Sequence, residues 1–150
     1  LKPADRAEVV SSIDLVPTML AAAGARIPKD LPGLNLLENL RAGSAVERDG
    51  IFGESFAHDV ADIDKPEASL IFRWRIEGKW KLLLTYDGEV NRYKSTHPRT
   101  EKRPQLFDLS KDPHEKVNLA GKHPEVVADL AAKIASWWSV KERKVLTKFE

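Results

Sequence analysis

The stretch Gln105–Ala120, QLFDLSKDPHEKVNLA, decides how the second half of this chain folds. Gln105, Phe107 and Leu109 alternate with Leu106 and Asp108, the period-2 pattern of a strand packed on at least one face. The strand runs straight into Asp112-Pro113-His114-Glu115. Asp is a preferred helix N-cap, Pro suits the first helical position, and a Glu at the third can reach back to the N–H of the cap residue. These four residues therefore predict a capping box that opens a helical turn. Asn118 then offers an amide donor and an acceptor to the backbone where the chain leaves that turn.

Working outward, Ser69–Glu77 reads as the clearest strand, with Leu70, Phe72, Trp74 and Ile76 on one face and Arg73 and Arg75 on the other. Gly78-Lys79 turns it, and Trp80–Tyr86 returns with Trp80, Leu82, Leu84 and Tyr86 on one face. Ile51–Ala57 supplies another strand. Asp87-Gly88 marks a turn into a polar, basic stretch over residues 89–104. After the opening motif, His123 caps a last helix that starts at Pro124. Val127, Leu130, Ile134 and Trp137 or Trp138 form its apolar stripe. The fold class is thus α+β: a small antiparallel sheet of about four strands, packed by a C-terminal helix.

Ahead of that unit the pattern changes. Asp14 reads as the N-cap of a short helix with Pro17 at its third position and Gly24 just beyond its end. Leu15, Val16, Met19, Leu20 and Ala21–Ala23 make this helix apolar on nearly every side, as in a helix sandwiched in a core. Nothing downstream offers it two covering layers, so we expect the chain to be part of a larger one. Pro28, Pro32 and Gly33 make residues 25–35 a crossing loop. Asn35 caps a brief helix carrying Leu36, Leu37 and Leu40 that stops near Gly43. The expected division is residues 1–45, the tail of another domain with a linker, and residues 46–150.

Composition narrows the function. The 150 residues are 42% hydrophobic and 31% charged with a net charge of +1, so no global field recruits nucleic acid or an anionic membrane. No apolar run approaches the ~20 residues of a membrane span. There is no Cys, which removes disulfides, thiolate metal sites and a cysteine nucleophile. The chain begins Leu1-Lys2-Pro3 and shows no leader pattern, so localisation is not legible in it.

Three motifs in order resemble one family. Leu-aromatic-Asp-Leu followed by Asp-Pro-x-Glu-x-x-Asn-Leu-Ala (Leu106–Ala120) is similar to the C-terminal signature of the type I, formylglycine-dependent sulfatases, within the alkaline phosphatase superfamily. Asp14-Leu15-Val16-Pro17-Thr18, closed by Ala23-Gly24, resembles that family's Asp-x-x-Pro-Thr helix. Gly78-Lys79-Trp80-Lys81-Leu82 resembles its Gly-x-(Trp/Tyr)-Lys-Leu strand, with Arg73 or Arg75 where an Arg usually precedes it. The resemblance covers roughly residues 9–138. It implies a C-terminal portion that completes the substrate cleft of an arylsulfatase-like enzyme hydrolysing sulfate esters of carbohydrate or aryl groups. It also implies that the formylglycine nucleophile and a calcium ion belong to the N-terminal α/β domain, and that residues 1–45 are the tail of that domain. A bacterial enzyme of this kind is periplasmic or secreted.

No catalytic or metal-binding residue is expected within the chain itself. The nearest look-alike of the nucleophile motif, Ser95-Thr96-His97-Pro98-Arg99, has its Pro one place too late. Asp59, Asp62 and Asp64 are spaced like oxygen donors for a hard cation but lack the glycine turn and the terminal Glu of a calcium loop, so a solvated acidic loop is expected. Lys79, Lys81, Arg92, Lys94, Arg99, Lys102 and Arg103 are diluted by Glu89 and Glu101 and lack interleaved aromatics, which argues against nucleic acid. His58, in Glu54-Ser55-Phe56-Ala57-His58, resembles a position that relatives bring near substrate, where an imidazole can hydrogen-bond a sugar hydroxyl or sulfate oxygen. On the residues themselves the plainer reading is a histidine that ends a strand and bonds to backbone. Arg73 is the second candidate for the anionic substrate, with solvation or pairing to local carboxylates as the alternative. The competing functions are a phosphonate or phosphodiester hydrolase of the same superfamily, and a non-catalytic interaction module. Alone, the chain is expected to be inactive and to self-associate through residues 1–45; its partners otherwise are a sulfated saccharide or small molecule and the N-terminal domain.

Overall fold

A computed structural model describes residues 5–6, 8–87 and 103–147. The turn at Asp87-Gly88, the Ser95–Arg99 look-alike and the basic residues Arg92, Lys94, Arg99 and Lys102 fall wholly or partly outside these residues. The chain divides into two compact units, residues 1–51 and 52–150.

In the first unit a 3-10 turn over Ser12–Asp14 leads into α1, Leu15–Ala22, and α2 follows at Leu37–Ala42. Asp14 is not the side-chain cap expected for α1. Its carboxylate reaches backwards and across instead, accepting the N–H groups of Ser11 and Leu34, both at 2.8 Å. Arg48 donates to the same carboxylate at 2.8 and 2.6 Å. Thr18 adds a second tie to that loop, its Oγ1 accepting the Leu36 N–H at 3.0 Å. Gly33 lies beneath, at φ +95°, where a Cβ would stand 2.3 Å from the Ile13 carbonyl oxygen. As expected, Asn35 Oδ1 accepts the Leu37 N–H at the start of α2, and Gly43 ends that helix in the left-handed region. The apolar residues of α1 are largely exposed: only Pro17 is buried, while Leu15, Val16 and Met19 are open.

The second unit is a four-stranded antiparallel sheet in the order β1-β2-β3-β4, with β1 at Ile51–Phe56, β2 at Leu70–Glu77, β3 at Trp80–Thr85 and β4 at Gln105–Asp108. Helix α3, Pro124–Trp137, packs on it. The core joins Leu70, Leu82, Leu84, Tyr86 and Leu106 of the sheet to Leu130 and Ile134 of α3. Of the two tryptophans that the periodicity offers, Trp138 joins this core and Trp137 stays exposed.

Pairing of Arg73 with Leu84, Arg75 with Leu82 and Glu77 with Trp80 puts both arginines on the face that carries the β3 core row. That is the face α3 covers, because Arg73 donates to the Ile134 carbonyl and Lys133 pairs with Glu77. The opposite face carries Phe72, Trp74 and Ile76, and there Gly53 is required: a Cβ would lie 2.1 Å from the Trp74 ring.

Beyond α3 the chain turns back as a strap. Tyr86 bridges antiparallel to Val145, the Asp87 N–H donates to Lys144 O and the Leu146 N–H to Thr85 O, both at 2.8 Å. Arg143 secures it, donating to Asp87 Oδ1 and to the carbonyls of Glu67, Ala68, Leu70 and Asp87.

Candidate functional site

The opening motif serves as a staple. Asn118 Oδ1 accepts the N–H groups of Leu106 and Ala120, at 3.1 and 3.0 Å, and its Nδ2 donates to Pro104 O at 3.2 Å. One side chain thereby satisfies the outer edge of β4 and the returning chain together. The expected capping box is corrected. Asp112 Oδ2 accepts the N–H groups of Lys116 and Val117, at 2.7 and 2.8 Å, in a turn with no helix. Glu115 takes φ 55°, which ends any helical run, and its carboxylate pairs with Lys81 at 2.6 Å instead of reaching back to Asp112. At the end of β4 the Ser110 hydroxyl, and after it the Lys79 ammonium, holds the Asp108 carboxyl below its usual range against the opposing effect of burial.

His58 follows β1 at the head of the acidic loop. The base of that loop is fixed: the Ala57 N–H donates to Ser69 O at 2.7 Å, and the Ala61 N–H to the buried Ser69 Oγ at 2.8 Å. Asp62 Oδ1 accepts the Asp64 N–H, an Asx turn. On this anchored loop the His58 side chain is 74% exposed, with Nδ1 3.5 Å from Asp59 Oδ1. Val60 and Ile63 are exposed on the same loop. Among the described residues no group of three or more His, Asp or Glu could hold a metal ion.

Arg73, the second candidate for the anionic substrate, occupies the opposite setting: its guanidinium is buried, so the solvated alternative does not describe it. It is 3% exposed. Nε donates to the Tyr86 hydroxyl at 2.7 Å, with a second donation from Nη2, while Nη1 donates to the carbonyls of Ile134, at 3.1 Å, and Trp138. The rings of Tyr86 and Trp138 lie 5.1 and 5.6 Å from its Cζ. The cation is stable there because it meets the carbonyl end of α3, where the helix dipole is negative, and the π faces of two rings. Arg75 is also buried and pairs with the local carboxylate Glu77 at 2.6 Å. The two candidate substrate residues are thus an exposed loop histidine and a buried helix-end clamp. In the first unit an open cleft of about 480 Å³ is lined by Leu34, Asn35, Asn39, Ser44, Val46 and Glu47.

Sequence reasoning missed one surface feature. Phe52 of β1 stacks on Trp137 with centroids 4.8 Å apart and planes 10° off parallel, and Arg75 lies 4.3 Å beneath the Phe52 ring. Phe56, four residues on, tilts against Trp138 at 6.2 Å. The sequence signal was a pair of aromatics at even spacing in β1 and a Trp-Trp pair at the end of a helix.

The fold, with its three motifs in order, is that of the C-terminal portion of the sulfatases, and the chain belongs to that class. Among particular relatives, arylsulfatase K of Xenopus laevis is 34% identical over 136 residues, covering 85% of this chain and 22% of its own. An N-acetylgalactosamine-6-O-sulfatase of Bacteroides thetaiotaomicron is 27% identical over 91% of this chain and 25% of its own. A solved structure described under metabolism of multiple glycosaminoglycans by the same bacterium superposes with a TM-score of 0.57 at 26% identity, over 83% of this chain and 24% of that one. The chain therefore spans about a quarter or less of the length of these relatives. No protein-family model matches it.

Proposed function

We propose that this chain is the C-terminal portion of a sulfuric ester hydrolase acting on sulfated saccharides, and that it completes the substrate cleft without supplying the catalytic centre. The observation that carries this is the 34% identity to an arylsulfatase K over 85% of the chain. The names of the N-acetylgalactosamine-6-O-sulfatase and of the glycosaminoglycan-linked structure support a saccharide substrate. The same names favour sulfate esters over the phosphonate or phosphodiester alternative, and an enzyme over a free-standing interaction module. In this reading residues 1–45 are the tail of the N-terminal α/β domain, and the formylglycine nucleophile and calcium lie in that domain. The exposed apolar residues of α1 support self-association when that domain is absent.

His58 is the residue we assign to the substrate, since it is exposed on a loop whose base is fixed. Arg73, the other candidate, has its bonds directed inward; we assign it to holding Tyr86 and the end of α3 behind the cleft wall. The test is carried out in the longer enzyme. Wild type should release sulfate from an aryl sulfate and from a sulfated saccharide, and the 150-residue chain alone from neither. His58→Ala should lower kcat/KM on the saccharide by roughly 2- to 150-fold, the value of one neutral to charged hydrogen bond, and leave the small aryl sulfate nearly unchanged. Equal losses on both substrates, or none, would remove His58 from the cleft.

A further inference from the structure

We propose that the outer face of Trp137 is a platform for the pyranose ring of a saccharide, a binding subsite separate from His58. The proposal rests on the reading of the enzyme as one that handles saccharides. Trp137 is 43% exposed although one face of its ring lies flat on Phe52. A large planar ring held in this way is unusual surface to leave uncovered. Beneath it the stack continues through Phe52 to the Arg75 guanidinium. Arg75 is fixed by Glu77, Glu77 by Lys133 at 2.7 Å, and Lys133 by Asp129 at 2.8 Å. The ring is therefore positioned before any ligand arrives, and binding need not pay for ordering it.

The rim identifies the occupant. Lys133 stands one helical turn before Trp137, with Asp129 one turn further back. Glu54 is exposed and shares the β1 face of Phe52 by strand alternation. An exposed ring whose helix carries Lys133 and Asp129 one and two turns back, and whose stacking partner's strand carries the exposed Glu54, suits a ligand with a weakly polar C–H face and hydroxyls around its edge. The C–H face meets the negative π surface, and the carboxylates accept from the hydroxyls. A protein partner seated on the ring would bury those charges at a desolvation cost. Lys133 is already shared by two carboxylates, so the platform selects the hydroxyl-bearing part of the sugar and not its sulfate group.

Titration of the longer enzyme by calorimetry with an unsulfated N-acetylgalactosamine-containing tetrasaccharide tests this. Wild type should bind it. Trp137→Phe should retain binding, while Trp137→Leu, folded by thermal melt, should weaken it roughly 2- to 10-fold, the scale of one aromatic contact. In the sulfated tetrasaccharide assay the Leu variant should raise KM by the same factor with kcat unchanged, and aryl sulfate kinetics should not move. Absence of binding to wild type, or binding by the Leu variant equal to wild type, overturns the platform. The aryl sulfate assay is independent: if wild type fails there, the sulfatase reading falls, and the calorimetric titration still decides the platform.

Discussion

Arg73 shows how one side chain can be misjudged while its strand is read well. Alternation placed it opposite Phe72 and Trp74, and it does lie there. Alternation says nothing about which face a helix will cover, because β2 carries apolar residues on one face and β3 pairs its core row with the arginines on the other. What selected the arginine face was a tertiary fit of guanidinium to the Tyr86 hydroxyl and the carbonyl end of α3, which no local pattern encodes. Arg73→Met keeps the volume but takes the donor from two acceptors, the Tyr86 hydroxyl and the Trp138 carbonyl, while the Ile134 carbonyl keeps the Trp138 N–H. At about 1–3 kcal/mol for each buried group left unpaired, it should cost at least ~2 kcal/mol in urea unfolding. A smaller loss would mean that water reaches the pocket. Gly53 makes the converse case. Its need for no side chain was invisible in Ile51–Phe56 and becomes plain once the Trp74 ring lies across it.

At the scale of elements, strands and α3 were legible to within a residue or so, since their periodicities are strong. The opening motif was legible as a structural junction but not in its form. Glu115 in the left-handed region turns a would-be capping box into a loop in which Asp112 holds two amides further along. Those amides still need their acceptor, so Asp112→Ala should cost roughly 0.5–2 kcal/mol, the range for a lost cap. An unchanged urea midpoint would show that water replaces the carboxylate. The turn before α1 depends on charge. Burial alone would raise the Asp14 carboxyl, which is 1% exposed, but the Arg48 guanidinium and the N–H groups of Leu34 and Ser11 outweigh it and hold it below its usual range. A carboxyl depressed in the folded state stabilises above its unfolded pKa, and that stability is lost as pH falls through the folded value. Asp14→Asn should therefore destabilise the first unit at neutral pH, by ~3 kcal/mol or more for a broken buried pair, and flatten its acid-side melting profile. An Asn variant as pH-sensitive as wild type would point to other carboxylates.

The whole chain is two units of different completeness. The second has its own core, whereas α1 leaves Leu15, Val16 and Met19 uncovered. Removing residues 1–45 should leave a folded monomer by light scattering, while the intact chain should associate; unfolding of the shortened chain would show that the second unit depends on the first. The strap after α3 bears on how that second unit assembles. Asp87 and Arg143 are 56 positions apart, and their partnership runs alongside the end of β3. Loop closure over such separations is entropically expensive and comes after local structure. The β2–β3 hairpin can form early from neighbouring residues, but the seam between Thr85–Asp87 and Lys144–Leu146 has to wait for α3 to dock. In native-state hydrogen exchange, the amides of Asp87 and Leu146 belong together as the last pair to close and the first to open.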